Sequence, residues 1–309
     1  MFDRNALPTE VTVYEVGPRD GLQNETVVLP TQVKAELIRR LVSAGIPAVE
    51  VTSLVRPDVV PALADAKDLL IELSQLLSQH RMSALVPNQK GLDSAMALGL
   101  KEVAVFASAT ESFAKANLNN TVAGSLEIFR PVIRQARDAG LQVRGYISMC
   151  FGDPWEGKVS TNQVTDVADA LFEAGINELS LGDTIGVATP GDVIDLLEAL
   201  DGRGISRSQL AVHFHDTYGQ ALSNTLTALL SGITTVDSSI AGLGGCPFAK
   251  SATGNLATED LVWQLHGLGI NTGIDLTALV ETSGWLRSKT GLPIRSKTSL
   301  AILGQKEDL

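Results

Sequence analysis

The sequence predicts a (β/α)8 barrel, and three of its features lead to this fold class. Short runs rich in β-branched residues alternate with amphipathic helical runs, and this alternation indicates a parallel sheet. The chain contains eight such strand–helix units, the number that a closed barrel needs, and 309 residues is a usual length for one. An open doubly wound sheet is the alternative, but no Gly-x-Gly-x-x-Gly turn follows the first strand.

The eight units follow one another along the chain without a linker. The predicted strands are Val11–Val16, Ala48–Thr52, Met82–Val86, Glu102–Ala107, Gln142–Ile147, Glu178–Leu181, Leu210–His215 and Thr235–Ile240. The predicted helices are Thr31–Ala44, Val60–Leu77, Gly91–Leu98, Val122–Ala139, Gln163–Ala174, Pro190–Leu200, Gln220–Leu230 and Thr258–Leu268. The segment from about Asp275 to Leu309 adds one or two helices, so residues 1–309 are expected to form a single domain with a C-terminal helical extension.

Local signals support these elements in order along the chain. In the first helix Val33, Leu37 and Leu41 share one face, as expected for a helix that packs against a sheet. Pro190 stands at the first position of the sixth helix, where no helical hydrogen bond is lost. Five helices end in a glycine that marks the turn back to the sheet: Gly45, Gly99, Gly140, Gly175 and Gly232.

The composition is that of a globular, acidic protein. The chain is 44% hydrophobic and 19% charged, and its net charge of −11 argues against a nucleic-acid-binding surface. Cys150 and Cys246 are too few for a disulfide framework, which is typical of a reducing compartment. Met1–Leu7 lacks the features of a signal peptide, and no apolar run is long enough to cross a membrane. We therefore expect a cytoplasmic protein with no nucleic-acid or membrane partner.

Two histidines on the seventh predicted strand are the first candidates for a functional site. His213 and His215 stand two residues apart, and alternate side chains of a strand point to the same face. Two imidazoles on one face are half of a metal site, although a polar pocket with hydrogen-bonded histidines is the alternative. In barrels of this kind the active site lies at the C-terminal ends of the strands, and polar residues gather at six of these ends here.

Two oxygen donors could complete a metal site with these histidines. Asp20 follows the first strand and Asn255 follows the eighth, so both belong to the same end of the predicted barrel. Each could instead be an ordinary turn residue, because Pro-Arg-Asp-Gly and Gly-Asn are common turn sequences. A set of two imidazoles, one carboxylate and one amide oxygen favours Mg²⁺ or Mn²⁺ over zinc.

Arg19 and Cys246 are candidates for catalysis beside that site. The planar guanidinium of Arg19 suits a substrate carboxylate or a developing enolate oxygen, with an ordinary surface arginine as the alternative. Cys246 stands in the glycine-rich loop Gly242-Leu-Gly-Gly-Cys-Pro247, whose flexibility is that of a lid. A thiol there could act as a mobile acid or base, or it could be inert and buried, as we expect of Cys150.

Five further polar residues are predicted to bind substrate or to support the site. Glu50, Arg144 and Asp183 are charged groups within or at the end of buried strands, where a charge must be paired. They could orient the metal ligands rather than react themselves. Ser53 ends the second strand and Asn117 lies in the loop after the fourth, so both belong to the same mouth of the barrel.

The motifs at these strand ends resemble those of the hydroxymethylglutaryl-CoA lyase family, in order and with few gaps from about residue 10 to 275. They are Glu15-Val-Gly-Pro-Arg-Asp-Gly-Leu-Gln-Asn-Glu25, Ser180-Leu-Gly-Asp-Thr-Ile-Gly186, Val212-His-Phe-His-Asp-Thr-Tyr-Gly-Gln220, and Ala241-Gly-Leu-Gly-Gly-Cys-Pro247 with Gly254-Asn-Leu-Ala-Thr-Glu-Asp260. The resemblance implies a divalent-metal TIM barrel that cleaves 3-hydroxy-3-methylglutaryl-CoA (HMG-CoA) to acetoacetate and acetyl-CoA. It also implies a homodimer.

By the same resemblance, each candidate residue has an expected role. The expected metal ligands are Asp20, His213, His215 and Asn255, and the expected supporting residues are Glu50 and Asp183. Arg19 is expected to stabilise the enolate, and Cys246 to lie on the active-site flap. The cleavage must also deprotonate a tertiary alcohol, and from that chemistry we expect Asp20 or His213 to help to remove the hydroxyl proton. Cys246, or a water that it positions, is expected to return a proton to the enolate carbon.

The chain departs from the pattern of that family at three places near the pocket mouth. Thr26 stands where a lysine is common, and Arg56 and Asp58 differ from the usual residues of the segment after the second strand. The loop over residues 149–155 differs as well. The metal and loop motifs are intact. The differences lie at the pocket mouth, so they bear on the contacts with the acyl group or with coenzyme A.

Two other functions are compatible with such a barrel. A Claisen-type synthase, which joins an acyl-CoA to a 2-oxoacid, uses a similar barrel with a His-x-His strand. The glycine-rich loop with its cysteine, and the lack of a long C-terminal extension, argue against it. A barrel that has lost catalysis and serves as a binding protein is the second alternative, and the presence of every metal candidate argues against that.

Overall fold

The predicted barrel is confirmed by the structure, a computed structural model that describes residues 4–245 and 254–307. The barrel strands are Thr12–Glu15 (β1), Ala48–Ser53 (β2), Arg81–Leu85 (β3), Glu102–Ser108 (β4), Gln142–Ser148 (β5), Glu178–Asp183 (β8), Leu210–Phe214 (β9) and Thr235–Ser238 (β10), while Gly152–Asp153 (β6) and Gly157–Lys158 (β7) form a separate antiparallel hairpin. All neighbouring barrel strands are parallel, and their closed order is β1-β10-β9-β8-β5-β4-β3-β2.

The helices surround the barrel and continue beyond it. They are Thr31–Ser43 (α1), Ala66–Glu72 (α2), Ser74–Gln79 (α3), Gln89–Ala97 (α4), Glu111–Phe113 (α5), Val122–Asp138 (α6), Thr161–Ala174 (α7), Pro190–Gly202 (α8), Ala221–Leu230 (α9), Thr258–Leu268 (α10), Leu276–Thr290 (α11) and Lys297–Glu307 (α12). Across the described residues, no helix combines the length and the apolar character that a membrane span requires.

The structure differs from the prediction in two connections. The single helix predicted over Val60–Leu77 is instead a short 3-10 turn that begins at Pro61, followed by α2 and α3 with a break at Leu73. The long loop predicted after the fourth strand folds into α5 and a further helical turn, Ala114–Leu118. That turn ends at Asn119, whose left-handed conformation (φ 51°) stops the helix. Periodicity does not reveal such short turns.

Successive side chains of each strand point to opposite faces of the sheet. One set packs in an apolar shell between strands and helices, and the other set forms a polar barrel centre. Val212 and Phe214 of β9 belong to the large apolar core between strands and helices, whereas His213 between them points into the barrel. The centre holds charged residues that are at most 1% exposed, among them Arg144 and Asp237. Buried charges require partners, and a bidentate ion pair joins these two side chains. This ionic layer lies directly beneath the histidines.

The C-terminal extension predicted from about Asp275 consists of α11 and α12. The connector between these helices reaches the C-terminal end of the barrel, where the Arg295 amide donates to the Ala241 carbonyl at 2.8 Å. The Arg295 guanidinium pairs with Glu25 at 3.0 Å, and the same Glu25 oxygen accepts from the Gly244 amide at 3.2 Å. The extension therefore holds the first part of the glycine-rich loop against the loop after β1.

Candidate metal centre and active site

Three of the predicted metal ligands converge at the C-terminal end of the barrel. Ligand atoms of Asp20, His213 and His215 all lie within 4.8 Å of one another, and His213 Nε2 is 4.0 Å from Asp20 Oδ2. The two imidazole rings lie 5.3 Å apart between centroids. Asn255 joins the group, because its amide nitrogen donates to Asp20 Oδ2 at 2.9 Å.

Two buried atoms of this group lack partners that a bound cation could supply. His215 Nδ1 and Asn255 Oδ1 are buried without a hydrogen-bond partner among the described residues. An unpaired buried acceptor is costly, and a bound cation removes that cost. The donor set of two imidazoles, one carboxylate and one amide oxygen fits a divalent metal ion.

A helical turn after β1 places Asp20 and Arg19. The amides of Arg19, Asp20 and Gly21 all donate to the Val16 carbonyl, at 3.1, 2.7 and 3.2 Å, and wind residues 17–21 into one wide turn. A β-carbon on Gly21 would lie 2.7 Å from the Ser239 hydroxyl, so this position has no room for a side chain. Asp20 is therefore a turn residue and also faces the histidines.

Close backbone packing places Asn255. Asn255 pairs with His215 in an isolated β-bridge, and its amide nitrogen also donates to the Leu243 carbonyl at 3.0 Å. A β-carbon on Gly254 would lie 2.1 Å from the Gly242 carbonyl oxygen, which excludes any other residue there without a backbone shift. The glycine that precedes Asn255 thus serves to bring the two chain segments together.

Arg19 is a buried residue with fixed partners, not a surface arginine. Its Nε donates to Glu50 at 2.5 Å, and its Nη1 donates to Asp20 at 2.7 Å. Burial disfavours the charged form of Arg19. The attraction of the Glu50 and Asp20 carboxylates outweighs that effect, so the pKa of the guanidinium is raised. The side chain lines the pocket beside the metal candidates, so it offers a permanent positive charge there.

The pKa shifts of His215 and Asp20 suit metal binding, whereas that of His213 favours a protonated ring whose proton a bound metal ion would displace. Burial and the charge of His213 lower the pKa of His215 to about 4, so this imidazole is neutral near pH 7. Burial disfavours the ionised form of Asp20, yet the charges of Arg19 and His213 lower the pKa of its carboxyl group. Burial likewise disfavours the charged form of His213, but its hydrogen bond to Asp237 and the charge of Asp237 raise its pKa.

Asp237 is a site residue that sequence reasoning missed. It lies on β10 opposite His213 of β9 and approaches the His213 Nδ1 atom at 3.3 Å. Burial alone would raise the pKa of Asp237, but the charge of Arg144 and the hydrogen bonds from His213 and Arg144 lower it to about 2. The available signal was an acidic residue at an inward position of a buried strand, where it must be paired.

The remaining predicted site residues are Asn117, Ser53 and Asp183, and each makes different contacts. Asn117 lines the pocket, together with Phe113 and Tyr146, while the buried Ser53 hydroxyl approaches the Leu85 carbonyl at 3.5 Å. Asp183 accepts from the Val187 and Ala188 amides at 2.9 and 3.1 Å and so holds the turn after β8. Burial raises its pKa to about 6 despite these bonds. Its hydrogen bonds thus support the pocket wall.

Of the two cysteines, only Cys150 lies in the described part of the chain. Cys246, the predicted acid or base of the glycine-rich loop, lies outside the described residues. Cys150 is buried, and its thiol donates to the Ile147 carbonyl at 3.2 Å. Burial raises the pKa of that thiol well above its ordinary value and so opposes formation of the reactive thiolate, in line with the packing role expected of Cys150.

Two buried glutamates beneath the glycine-rich loop also escaped prediction. Glu15 accepts from the Gly17 and Ile240 amides at 2.7 and 2.9 Å, and Glu259 accepts from the Ala241 amide at 3.0 Å. Burial raises the pKa of each to about 7, against the hydrogen bonds that favour the carboxylate. Both acids stand inside the family motifs quoted above, which was the signal available for them.

Comparison with known proteins places the chain in a family. Residues 10–285 match the model of the HMGL-like family. The chain belongs to the HMGL-like family. Its HMGL-like relatives include the Arabidopsis thaliana protein named hydroxymethylglutaryl-CoA lyase, mitochondrial, which is 51% identical over 96% of this chain. The Rattus norvegicus protein named 3-hydroxy-3-methylglutaryl-CoA lyase, cytoplasmic, is 46% identical over 96% of this chain. The relatives thus include proteins named as mitochondrial and proteins named as cytoplasmic.

Solved HMGL-like structures share the whole architecture. The HMG-CoA lyase of Bacillus subtilis has a TM-score of 0.92 and 44% identity, with 96% of this chain and 99% of that chain covered. The HMG-CoA lyase of Acinetobacter baumannii, in complex with coenzyme A and 3-methylmalate, has a TM-score of 0.88 and 34% identity, with 97% of each chain covered. This chain spans 63% of the length of the Arabidopsis relative and 86% of that of the rat relative.

Proposed function

We propose that this protein is a divalent-metal-dependent carbon–carbon lyase that cleaves HMG-CoA to acetoacetate and acetyl-CoA. The observation that supports this most directly is the group of Asp20, His213, His215 and Asn255 beside the buried Arg19 at the barrel mouth, in a chain of the HMGL-like family. The relatives that share this barrel over nearly the full chain are named for the same reaction.

The chemistry of the cleavage matches these residues. A metal ion at Asp20, His213, His215 and Asn255, proposed to be Mg²⁺ or Mn²⁺, would act as a Lewis acid and lower the pKa of the tertiary hydroxyl of the substrate. A side chain of this group, Asp20 or His213, accepts the hydroxyl proton as the bond between C2 and C3 breaks. The hydroxyl carbon becomes the ketone of acetoacetate, and C2 becomes the enolate of acetyl-CoA.

Arg19 is the group that stabilises the enolate oxygen. Its guanidinium is already oriented by Glu50 and Asp20, so it need not reorganise when negative charge develops. Burial in a pocket partly shielded from water strengthens that interaction. Glu50 and Asp183 act as supporting residues in this proposal, Glu50 through Arg19 and Asp183 through the turn after β8.

The decisive experiment is an assay of the purified protein with HMG-CoA, measuring acetoacetate and free acetyl-CoA. After exhaustive chelation we expect turnover to fall to background and to return with Mg²⁺ or Mn²⁺. A panel of branched 3-hydroxyglutaryl-CoA thioesters tests the acyl preference, because Arg56 and Asp58 stand between Val55 and Val59, two residues that line the pocket. Full activity after chelation would contradict the metal role. Condensation of acetyl-CoA with 2-oxoacids, measured alongside, tests the synthase alternative.

Cys246 is proposed to return the proton to C2 of the enolate, directly or through a water. The Cys246→Ala variant is expected to lower kcat by about 10²–10⁴-fold, the usual contribution of a general acid. Metal affinity should not change. Cys150→Ala is the matched control, since this thiol is buried and is not among the described residues that line the pocket, and its turnover should stay near the wild-type value. Unchanged turnover of Cys246→Ala would remove this role from the proposal.

Three further properties belong to the same proposal. The substrate is an acyl-CoA, in line with the coenzyme A bound by the Acinetobacter baumannii lyase. The protein is a cytoplasmic homodimer, with the cytoplasmic assignment supported by a cysteine content of two in 309 residues. Light scattering of the purified protein measures its mass, and a monomeric mass near 32.6 kDa would contradict the dimer.

A further inference from the structure

A buried carboxylate beneath His213 receives hydrogen bonds from three sides. Asp237 Oδ1 accepts from Arg144 Nη2 at 2.6 Å. Its Oδ2 atom accepts from Arg144 Nη1 at 3.0 Å and from the Ser180 hydroxyl at 2.8 Å, and the same atom lies 3.3 Å from His213 Nδ1. The Asp237 side chain is not exposed to solvent. The carboxylate is therefore held in one orientation.

These partners determine which nitrogen of His213 carries a proton. A carboxylate paired bidentately with a guanidinium is ionised, and an ionised carboxylate can only accept hydrogen bonds. The contact with Asp237 Oδ2 therefore requires a proton on His213 Nδ1. In a neutral imidazole the lone pair then belongs to Nε2, the atom that faces Asp20.

Arg144 adds rigidity to this arrangement from the opposite side. Its Nε donates to Glu178 at 2.6 Å and its Nη1 also donates to the Tyr146 hydroxyl at 2.7 Å. The guanidinium carbon lies 3.9 Å from the centre of the Tyr14 ring. The arginine is thus fixed by contacts on several strands and cannot follow a displaced Asp237 without breaking them.

We propose that Asp237, held by Arg144 and Ser180, is a positioning residue that fixes the Nδ1–H tautomer and ring orientation of His213, so that Nε2 is presented as the metal ligand. The inference rests on the proposed metal-dependent lyase function and deepens it. Histidine ligands in metal sites commonly donate their other ring N–H to a carboxylate, and removal of that carboxylate typically costs 10–100-fold in metal affinity.

The proposal has a consequence for the proton transfer. With Nε2 given to the metal and Nδ1 already protonated, His213 has no site left for the hydroxyl proton of the substrate. Asp20 is then the remaining one of the two groups proposed to accept it.

The tautomer itself is measurable in the wild-type protein. The chain contains four histidines, so imidazole ¹⁵N–¹H correlation spectra of ¹⁵N-histidine-labelled, Mg²⁺-saturated protein resolve few rings. His80→Gln and His266→Gln variants assign the two outside the site. We expect His213 to carry its proton on Nδ1 only. A proton on Nε2, alone or together with one on Nδ1, overturns the proposal whatever the variants below do.

Metal titration of variants measures the energetic consequence. Mn²⁺ binding to the metal-stripped protein, followed by the electron paramagnetic resonance of free Mn²⁺, is expected to weaken by about 10–100-fold in Asp237→Asn. Glu178→Gln is the matched control, because it changes a partly exposed partner of Arg144 whose hydrogen bonds go to Arg144 and Arg81 and not to His213. It should keep the wild-type affinity. Ser180→Ala, which removes one donor to Asp237, serves as a milder variant if Asp237→Asn does not fold, and is expected to weaken Mn²⁺ binding by a smaller factor.

The outcomes separate a positioning role from general destabilisation and from failure of the proposed function. Folded Asp237→Asn protein with wild-type Mn²⁺ affinity overturns the inference, as does equal weakening in Glu178→Gln. If only Ser180→Ala folds, unchanged Mn²⁺ affinity in that variant overturns it. These readouts do not depend on turnover, so a wild-type protein that binds Mn²⁺ but fails to cleave HMG-CoA would contradict the proposed function and leave the His213 geometry testable.

Discussion

Replacing Arg19 with glutamine is expected to lower kcat for HMG-CoA cleavage by about 10²–10³-fold, the usual loss when one preorganised oxyanion donor is removed. The effect should fall on kcat more than on KM, because full negative charge exists on the enolate oxygen only as the carbon–carbon bond breaks. Arg19→Lys keeps the charge but loses the planar fork shared by Glu50 and Asp20, so we expect a partial loss.

Stability has to be measured beside these kinetics. Glu50 is fully buried and receives the Arg19 Nε at 2.5 Å, so the glutamine variant leaves a buried carboxylate without its ion pair. Loss of one partner of a buried ion pair lowers the free energy of unfolding by about 3–5 kcal/mol. Thermal melting of the variant measures this loss of stability. Arg203→Gln, which removes an arginine from an exposed pair with Asp166, is the control and should keep wild-type turnover. A folded Arg19→Gln protein with near wild-type kcat would exclude the enolate role.

Replacing His215 with alanine is expected to raise the dissociation constant for Mn²⁺ by more than about 100-fold, beyond the usual effect of an outer residue of a metal site. The pKa of this imidazole is lowered to about 4, so the ring is neutral and ready to ligate at neutral pH. Its Nδ1 atom has no hydrogen-bond partner in the described part of the chain, so the alanine variant removes no protein hydrogen bond at that atom.

The thermal stability of the same variant gives a second readout. A ligand at about 100 times its dissociation constant stabilises a protein by about 2.7 kcal/mol, so Mn²⁺ should raise the Tm of the wild type. We expect that rise to disappear in His215→Ala. His266→Ala is the control, because His266 is exposed, bonds Thr272 and lies outside the metal group. Equal Mn²⁺-induced stabilisation in wild type and His215→Ala would show that His215 is not a ligand.

The fold was predictable because each of its elements is encoded locally. Strand and helix periods are properties of short segments, and the predicted Thr258–Leu268 agrees with α10 at both ends. Longer connections were less predictable, since the segment predicted as one helix is a 3-10 turn from Pro61 and two helices separated at Leu73. The hairpin β6–β7 has two residues in each strand, too few for an alternation signal.

The candidate ligands were predictable for a different reason. The spacing of His213 and His215 puts them on one face in any strand, and the closed barrel brings the ends of β1 and β10 beside that strand's end. The structure therefore brings Asp20 and Asn255 to the histidines, although their local sequences are equally those of turns. Their assignment as ligands remains the prediction that His215→Ala and the Mn²⁺ titrations test.

By itself, the sequence determined the barrel, the family and the set of polar residues at its mouth, because periodicity and long motifs are properties of the chain order. Only the tertiary structure decided how those residues are held. Asp237 lies 24 residues from His213 and 93 from Arg144, and these three meet only because parallel strands of a closed barrel set them in register. Glu50 likewise acquires its partner Arg19 from a different strand end. Pairing across strands depends on register and closure, which all the strands set together and which the sequence around one of these residues does not show.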